Sequence, residues 1–221
     1  MHLKPTPHTV EQLTHIGYTD RRLGVITRLR SLIPDQAGTQ ARALIVAEQH
    51  AAIMLRRAAL LDGPQLPVSE SILTRTPRLR VEVVHQRMPS RHVHDRKHRQ
   101  WLIQIASTLS LVERRMALAR EFKGIIDSGY IHLLYASGST SLLDQMDHAG
   151  TYFAACFFVP THLLLHVWNQ GIQTITELAN IFQVTEEAIR IRIKVLGLAP
   201  GKHRHTNTIP CSHATRYRSA A

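Results

Sequence analysis

The sequence predicts an α+β fold, a small β-sheet packed on helices. Two observations carry the expectation. Strand-like runs cluster in one stretch, with a helix before them and several helices after, which is segregated rather than alternating order. The stretch Ser110 to Gly129, SLVERRMALAREFKGIIDSG, reads as one amphipathic helix with both ends marked. Ser110 followed by Glu113 is a capping-box pattern, and Gly129 suits the left-handed position just past a helix C-terminus. Its centre, Arg120-Glu121-Phe122-Lys123-Gly124, has the outline of an H-E-x-x-H helix with both histidines replaced.

The elements follow in chain order. Residues 1–38 form a weakly specified N-terminal segment, in which Val25, Ile26, Leu29 and Leu32 predict a short helix ending before Pro34. From Thr39 to Asp62 the residues Leu44, Ala47, Ala51, Met54, Leu55, Ala58 and Leu61 keep helical spacing, and Gly63-Pro64 stops the run. A short helix is expected around Ser69 to Leu73. Leu79, Val81 and Val83 alternate with Arg80 and Glu82, as in a half-buried strand. The His- and Arg-rich stretch from Arg87 to Gln100 reads as a polar loop. Trp101 to Ala106, WLIQIA, reads as the second strand, and the Ser110 helix follows.

Tyr130 to Asp144 contains Gly138-Ser139-Thr140-Ser141 and reads as a loop before a helix ending near Phe158. Pro160 suits the first turn of the next helix, which Gly171 ends. Thr174 to Glu177 repeats the capping-box pattern before ELANIF. Thr185 caps a last helix that Gly197 terminates, so residues 170–198 have helix-turn-helix proportions. From residue 199 to 221 the chain is basic, histidine-rich and poor in apolar residues, as expected of a disordered tail.

Composition narrows the class. The chain has 221 residues, 44% of them hydrophobic, and a formal net charge of +11. That length can bury a substantial core. The charge is concentrated: Arg75 to Arg99 holds eight Lys/Arg against Glu82 and Asp95, and the tail holds Lys202, Arg204, Arg216 and Arg218 with no acid. These two solvated segments are where an anion would be met. Two cysteines, Cys156 and Cys211, make no disulfide framework, and a buried thiol in a reducing compartment is expected. MHLKPTPHT has no apolar signal core, and Tyr152 to Trp168 is too short and too interrupted for a membrane span. A cytoplasmic protein with no membrane partner is therefore expected.

Four blocks, taken together, resemble the ImmA/IrrE family of metallo-endopeptidases, whose IrrE N-terminal-like domain is zincin-like. They are the strand Trp101 to Ala106, the helix Arg115 to Asp127, the segment Tyr152-Phe-Ala-Ala-Cys-Phe-Phe-Val-Pro160, and the helix pair from Ile175 to Leu198. The resemblance covers roughly residues 40 to 198 and implies an ImmA/IrrE-like domain over 39–198. Its scaffold would be zincin-like, a small sheet on helices, ending in a helix-turn-helix-like pair. It places Glu121 at the general base, Arg120 and Gly124 at the two histidine ligands, and Thr151 near the acidic ligand. A zincin helix needs imidazoles at i and i+4 to turn both toward one ion. Gly has no donor, and a permanently charged guanidinium repels a cation.

The resemblance therefore implies a degenerate zinc motif, no metal and a vestigial Glu121. His162 and His166, His92-x-His94-x-x-x-His98 and His203-x-His205 are candidate substitute ligands by spacing, and they read as polar surface instead. The function expected is a catalytically inactive pseudopeptidase of bacterial or phage-like origin that binds a protein or peptide and regulates. Trp101, Ile103 and Ile105 mark the strand to which an extended peptide would add. One alternative is an active metallo-endopeptidase with unconventional zinc ligands. Another is a DNA-binding regulator using Arg190, Arg192 and Lys194 of the last helix with the basic tail.

Overall fold

The computed structural model describes residues 24–62, 65–135 and 140–199. The described helices and strands are α1 (Val25–Arg30), α2 (Gln40–Asp62), α3 (Ser71–Thr74), β1 (Leu79–Val84), β2 (Ser90–Asp95), β3 (Gln100–Ala106), α4 (Leu111–Asp127), α5 (Ile131–Leu134), α6 (Leu142–Phe158), α7 (Thr161–Asn169), α8 (Ile175–Phe182) and α9 (Glu186–Leu196). A small three-stranded sheet packs on helices, so the fold is α+β. The tail from residue 200 and the Gly138-Ser139 pair lie outside the described residues.

The core is built between α4 and α6. Phe122 and Phe153 stack with ring centroids 6.2 Å apart, and Phe153 and Phe157 do the same. All three rings, with Ile125, Ile126 and Phe158, are fully buried. Each contributes roughly 1.5–3 kcal/mol by leaving water. No single described helix is long and apolar enough to cross a membrane; α6 and α7 together are apolar but bend by 58°. Most of their apolar residues lie in this core, while Leu142, Leu143 and Leu165 are exposed.

The sheet order is β1-β3-β2, with β1 parallel and β2 antiparallel to β3. The expected loop from Arg87 to Gln100 is thus corrected: most of it is the strand β2 and a tight turn back into β3. Polar residues mask its period of two. Ser90, His92 and His94 turn toward the α4 side, while Arg91, Val93 and Asp95 take the other face. On that outer face Arg91 Nε donates to Gln104 Oε1 at 2.8 Å, and Gln104 Nε2 donates to Glu82 Oε2 at 3.3 Å. The Arg91 bond ties β2, which has little apolar surface, to β3, and the Gln104 bond continues to β1.

The N-terminal segment is more tightly placed than its sequence suggests. Leu29 on α1 is fully buried in the main core. Arg30 donates to the carbonyls of Ile125 at 2.7 Å and Ile126 at 3.0 Å. Those carbonyls belong to the last turn of α4, which has no helical donors of its own. The stretch from residue 24 therefore packs onto the α4 core.

Candidate functional site

Helix α4 carries the residues that matter, and its start is fixed by the capping box. Ser110 Oγ accepts from Glu113 N at 3.3 Å, and Ser110 N donates to Glu113 Oε2 at 2.8 Å. Three turns further on, Glu121 faces β2. Ser90 Oγ donates to its Oε1 and His92 Nδ1 to its Oε2, each at 2.6 Å. Burial opposes ionisation of Glu121. The bonds from His92 and Ser90, with the charges of His92 and Arg120, outweigh it and hold the carboxyl below the usual glutamate range. A carboxylate so engaged is a structural tie between helix and strand.

Gly124 lies one turn after Arg120, on the same side of α4. A Cβ built on Gly124 would stand 2.5 Å from His92 Cε1. The histidine ring thus occupies the space that any side chain at position 124 would need. Arg120 turns toward α6, where it reaches Asp147 Oδ1 at 3.4 Å. Helix α6 packs against α4 here: a Cβ on Gly150 would meet Arg120 Cβ at 3.5 Å, an ordinary contact distance. Arg120 and the buried Thr151 line one recess of about 260 Å³, together with Met116, Thr185 and Glu187. The fold therefore brings Arg120 and Thr151 to one recess, and sets Glu121 and Gly124 against β2 instead. Sequence reasoning did not single out Ser90, and it placed His92 in a solvated polar loop rather than on Glu121. The signal that could have found them is the period-two spacing of Ser90, His92 and His94.

The expected peptide-binding strand is corrected. β3 is central, and both its edges are already paired, so no strand can add to it. Ile103 and Ile105 are core residues, and Trp101 is partly buried against the core, with its ring 4.8 Å from that of His94. The free edges belong to β1 and β2. Ala106 N donates to Pro89 O at 2.8 Å, which sets the phase of the β2–β3 ladder. In that phase the backbone groups of Ser90, His92 and His94 point outward from β2.

The other histidines do not gather. His162 and His166 are exposed, and His166 lies 3.0 Å from Gln170 Nε2. His98 bonds Asp95 at 2.6 Å. Among the described residues, no group of three His, Cys, Asp or Glu side chains could hold a metal ion.

The recognition-helix alternative does not fit Arg192. Arg192 is 2% exposed. Its Nε donates to Val159 O at 3.1 Å, and its two terminal nitrogens reach Cys156 Sγ at 3.2 Å and Thr161 Oγ1 at 2.6 Å. It anchors α9 to the α6–α7 corner and cannot contact a phosphate. Arg190 pairs with Glu186 at 2.7 Å. Leu178, Ala179, Phe182, Val184, Ile189 and Ile193 are all buried, so the helix pair packs into the core.

A small sheet, a helix beneath it bearing a central glutamate, and a second helix crossing that helix define a metallopeptidase-type scaffold. The family model described as Peptidase_M78, IrrE N-terminal-like domain, matches residues 78–194. That is more than half of the chain, and the chain belongs to this family. It is also similar to a solved Mycobacterium tuberculosis transcriptional regulator, at 15% identity and a TM-score of 0.47, over 77% of this chain and 51% of that one. The chain thus spans about half the length of that protein. Among curated proteins nothing matches the chain.

The family resemblance implies zinc at this site, and the residues present do not fit it. Position 124 offers no donor and is covered by the His92 ring, position 120 offers a cation, and Thr151 offers only a neutral hydroxyl.

Proposed function

We propose that this chain is a catalytically inactive member of its family, a protein-binding and regulatory module that keeps the peptidase scaffold without its chemistry. The observation that supports this most directly is the seating of the His92 ring over Gly124 while its Nδ1 ties up Glu121. A general base in such a scaffold works on a metal-bound water whose pKa the metal has lowered. Here the carboxylate is engaged by two donors of its own chain. The outer edge of β2, with outward backbone groups at His92 and His94, is the surface proposed to hold an extended peptide. Cys156 is no candidate nucleophile, because burial pushes its thiol up to about 11 and leaves it protonated and inert.

Two measurements test the proposal. Equilibrium dialysis with zinc at neutral pH, followed by elemental analysis, should give no stoichiometric metal. Incubation with a peptide library should give no cleavage. Stoichiometric zinc together with cleavage abolished by Glu121→Gln would overturn the inactive reading in favour of unconventional ligands. For the binding surface, His94→Pro removes an outward N–H and leaves the β2–β3 ladder intact. A peptide selected on the native chain should bind this variant at least tenfold more weakly. Unchanged affinity would exclude the β2 edge.

A further inference from the structure

We propose that the β2–β3 hairpin end of the sheet is a docking surface for single-stranded nucleic acid, separate from the Glu121 neighbourhood. Two observations carry it. The first is a convergence of cations that only the topology produces. β1 and β3 run parallel and begin side by side, with Trp101 N donating to Arg78 O at 2.7 Å. β2 ends at Asp95 opposite Gln100, so the connecting turn, Arg96 to Arg99, lies at that same end. Arg75 and Arg78, from the α3–β1 junction, thus join Arg96, Lys97 and Arg99 from the hairpin. All five are exposed. The side chains of Arg78, Arg96, Lys97 and Arg99 make no hydrogen bond or ion pair with any described residue. The two acids of this stretch are already engaged, Asp95 by His98 and Glu82 by Arg80. The Asp95 carboxylate offsets one of these cations, and the patch keeps a net positive field from Arg78, Arg96, Lys97 and Arg99.

The second observation is aromatic. His94 is exposed and stands edge-on to Trp101 at 4.8 Å, at this same end of the sheet. An exposed imidazole, backed by Trp101 and beside guanidinium groups, is what unpaired bases and their phosphates require: a base stacks on the His94 ring, and phosphates take the arginine forks. An acidic peptide would satisfy the charges and leave the rings unused. Duplex DNA would hide its base faces from them.

The test uses the full chain and fluorescence anisotropy with a labelled 12-nucleotide single strand across a salt series. The native chain should bind, with log affinity falling linearly as log salt rises. Arg78→Gln/Arg96→Gln/Lys97→Gln/Arg99→Gln should weaken binding by about a hundredfold at low salt and reduce the slope by about 3, as four lost phosphate contacts dictate. His94→Ala should weaken binding several-fold without changing the slope. Neutralising Lys202, Arg204, Arg216 and Arg218 in the tail should leave both patch effects in place. Circular dichroism verifies folding, and if the fourfold variant fails to fold, Arg96→Glu/Lys97→Glu at the hairpin tip replaces it. Affinity unchanged in the patch variants, or lost only with the tail charges, would overturn the proposal. Equal or tighter binding of polyglutamate or of duplex DNA would overturn the assignment of the partner.

Discussion

At the scale of single residues, the decisive contact is between His92 and Gly124. A glycine inside a helix costs roughly 0.5–1 kcal/mol relative to alanine. Here it is required by the ring pressed against it. Gly124→Ala should therefore destabilise the protein by about 1–3 kcal/mol, as His92 is pushed off Glu121. In a His92→Ala background the same change should stabilise by about 0.5–1 kcal/mol, because only helix propensity remains. A double-mutant cycle by urea denaturation reads the reversal of sign, and the same sign in both backgrounds would refute the contact. The residue pattern showed that positions 120 and 124 carry no histidine. It did not show what fills the space, because His92 lies 32 positions before Gly124 and meets it only when β2 pairs with β3.

At the scale of elements, the helix ends were legible because capping is local. Ser110 and Glu113 form their box within one turn, Thr174 accepts from Glu177 N, and Thr185 accepts from Ala188 N. Ser110→Ala should cost about 1 kcal/mol by thermal melting. The strand β2 was not legible, since its residues are polar and the sheet alone gives them partners. The roles of the α9 cations were not legible either. Arg190 and Arg192 look alike in sequence, yet one is exposed and the other buried. Arg192→Ala should destabilise by about 3 kcal/mol or more, because it empties a filled site and strands the Val159 carbonyl and the Thr161 hydroxyl. Arg190→Ala should stay within about 0.5 kcal/mol, as an exposed helical ion pair contributes little. Equal losses at the two positions would contradict the described packing of α9.

At the scale of the whole molecule, stability should depend on pH through a buried histidine on α2. His50 is fully buried on α2, and its Nε2 donates to Leu29 O at 2.8 Å. Burial first, then the nearby Lys123 charge, pulls its pKa from 6.5 down to about 3. Between those values the unfolded chain holds more protons than the folded one. Stability should therefore be fully present above pH 6.5 and fall on acidification toward pH 3, by on the order of 1 kcal/mol per unit. His50→Gln, which keeps a donor for Leu29 O, should flatten that limb in denaturation curves at several pH values. An unchanged limb would assign the acid sensitivity to other groups. Lys123 is itself buried with Asp127, whose carboxylate accepts from its Nζ and from Tyr135 Oη. Removing residues 1–38 should also destabilise the whole fold, since Leu29 leaves the core and Arg30 no longer satisfies the end of α4. A truncated chain with unchanged melting would show α1 to be dispensable.

The sequence by itself determined the α+β class, the family, the main helices and their caps, and the absence of histidine at positions 120 and 124. These depend on residue identity, helical period and contacts within a few positions, all of which are local. Only the tertiary structure decided which strand is central, that the His92 ring covers Gly124, that Arg192 is an anchor rather than a phosphate contact, and that the cations around Arg78 and Arg96 share one end of the sheet. Each of these depends on pairing between segments distant in the chain. A polar residue's role follows from the partner the fold brings to it, and hydrophobic periodicity carries no information about that partner.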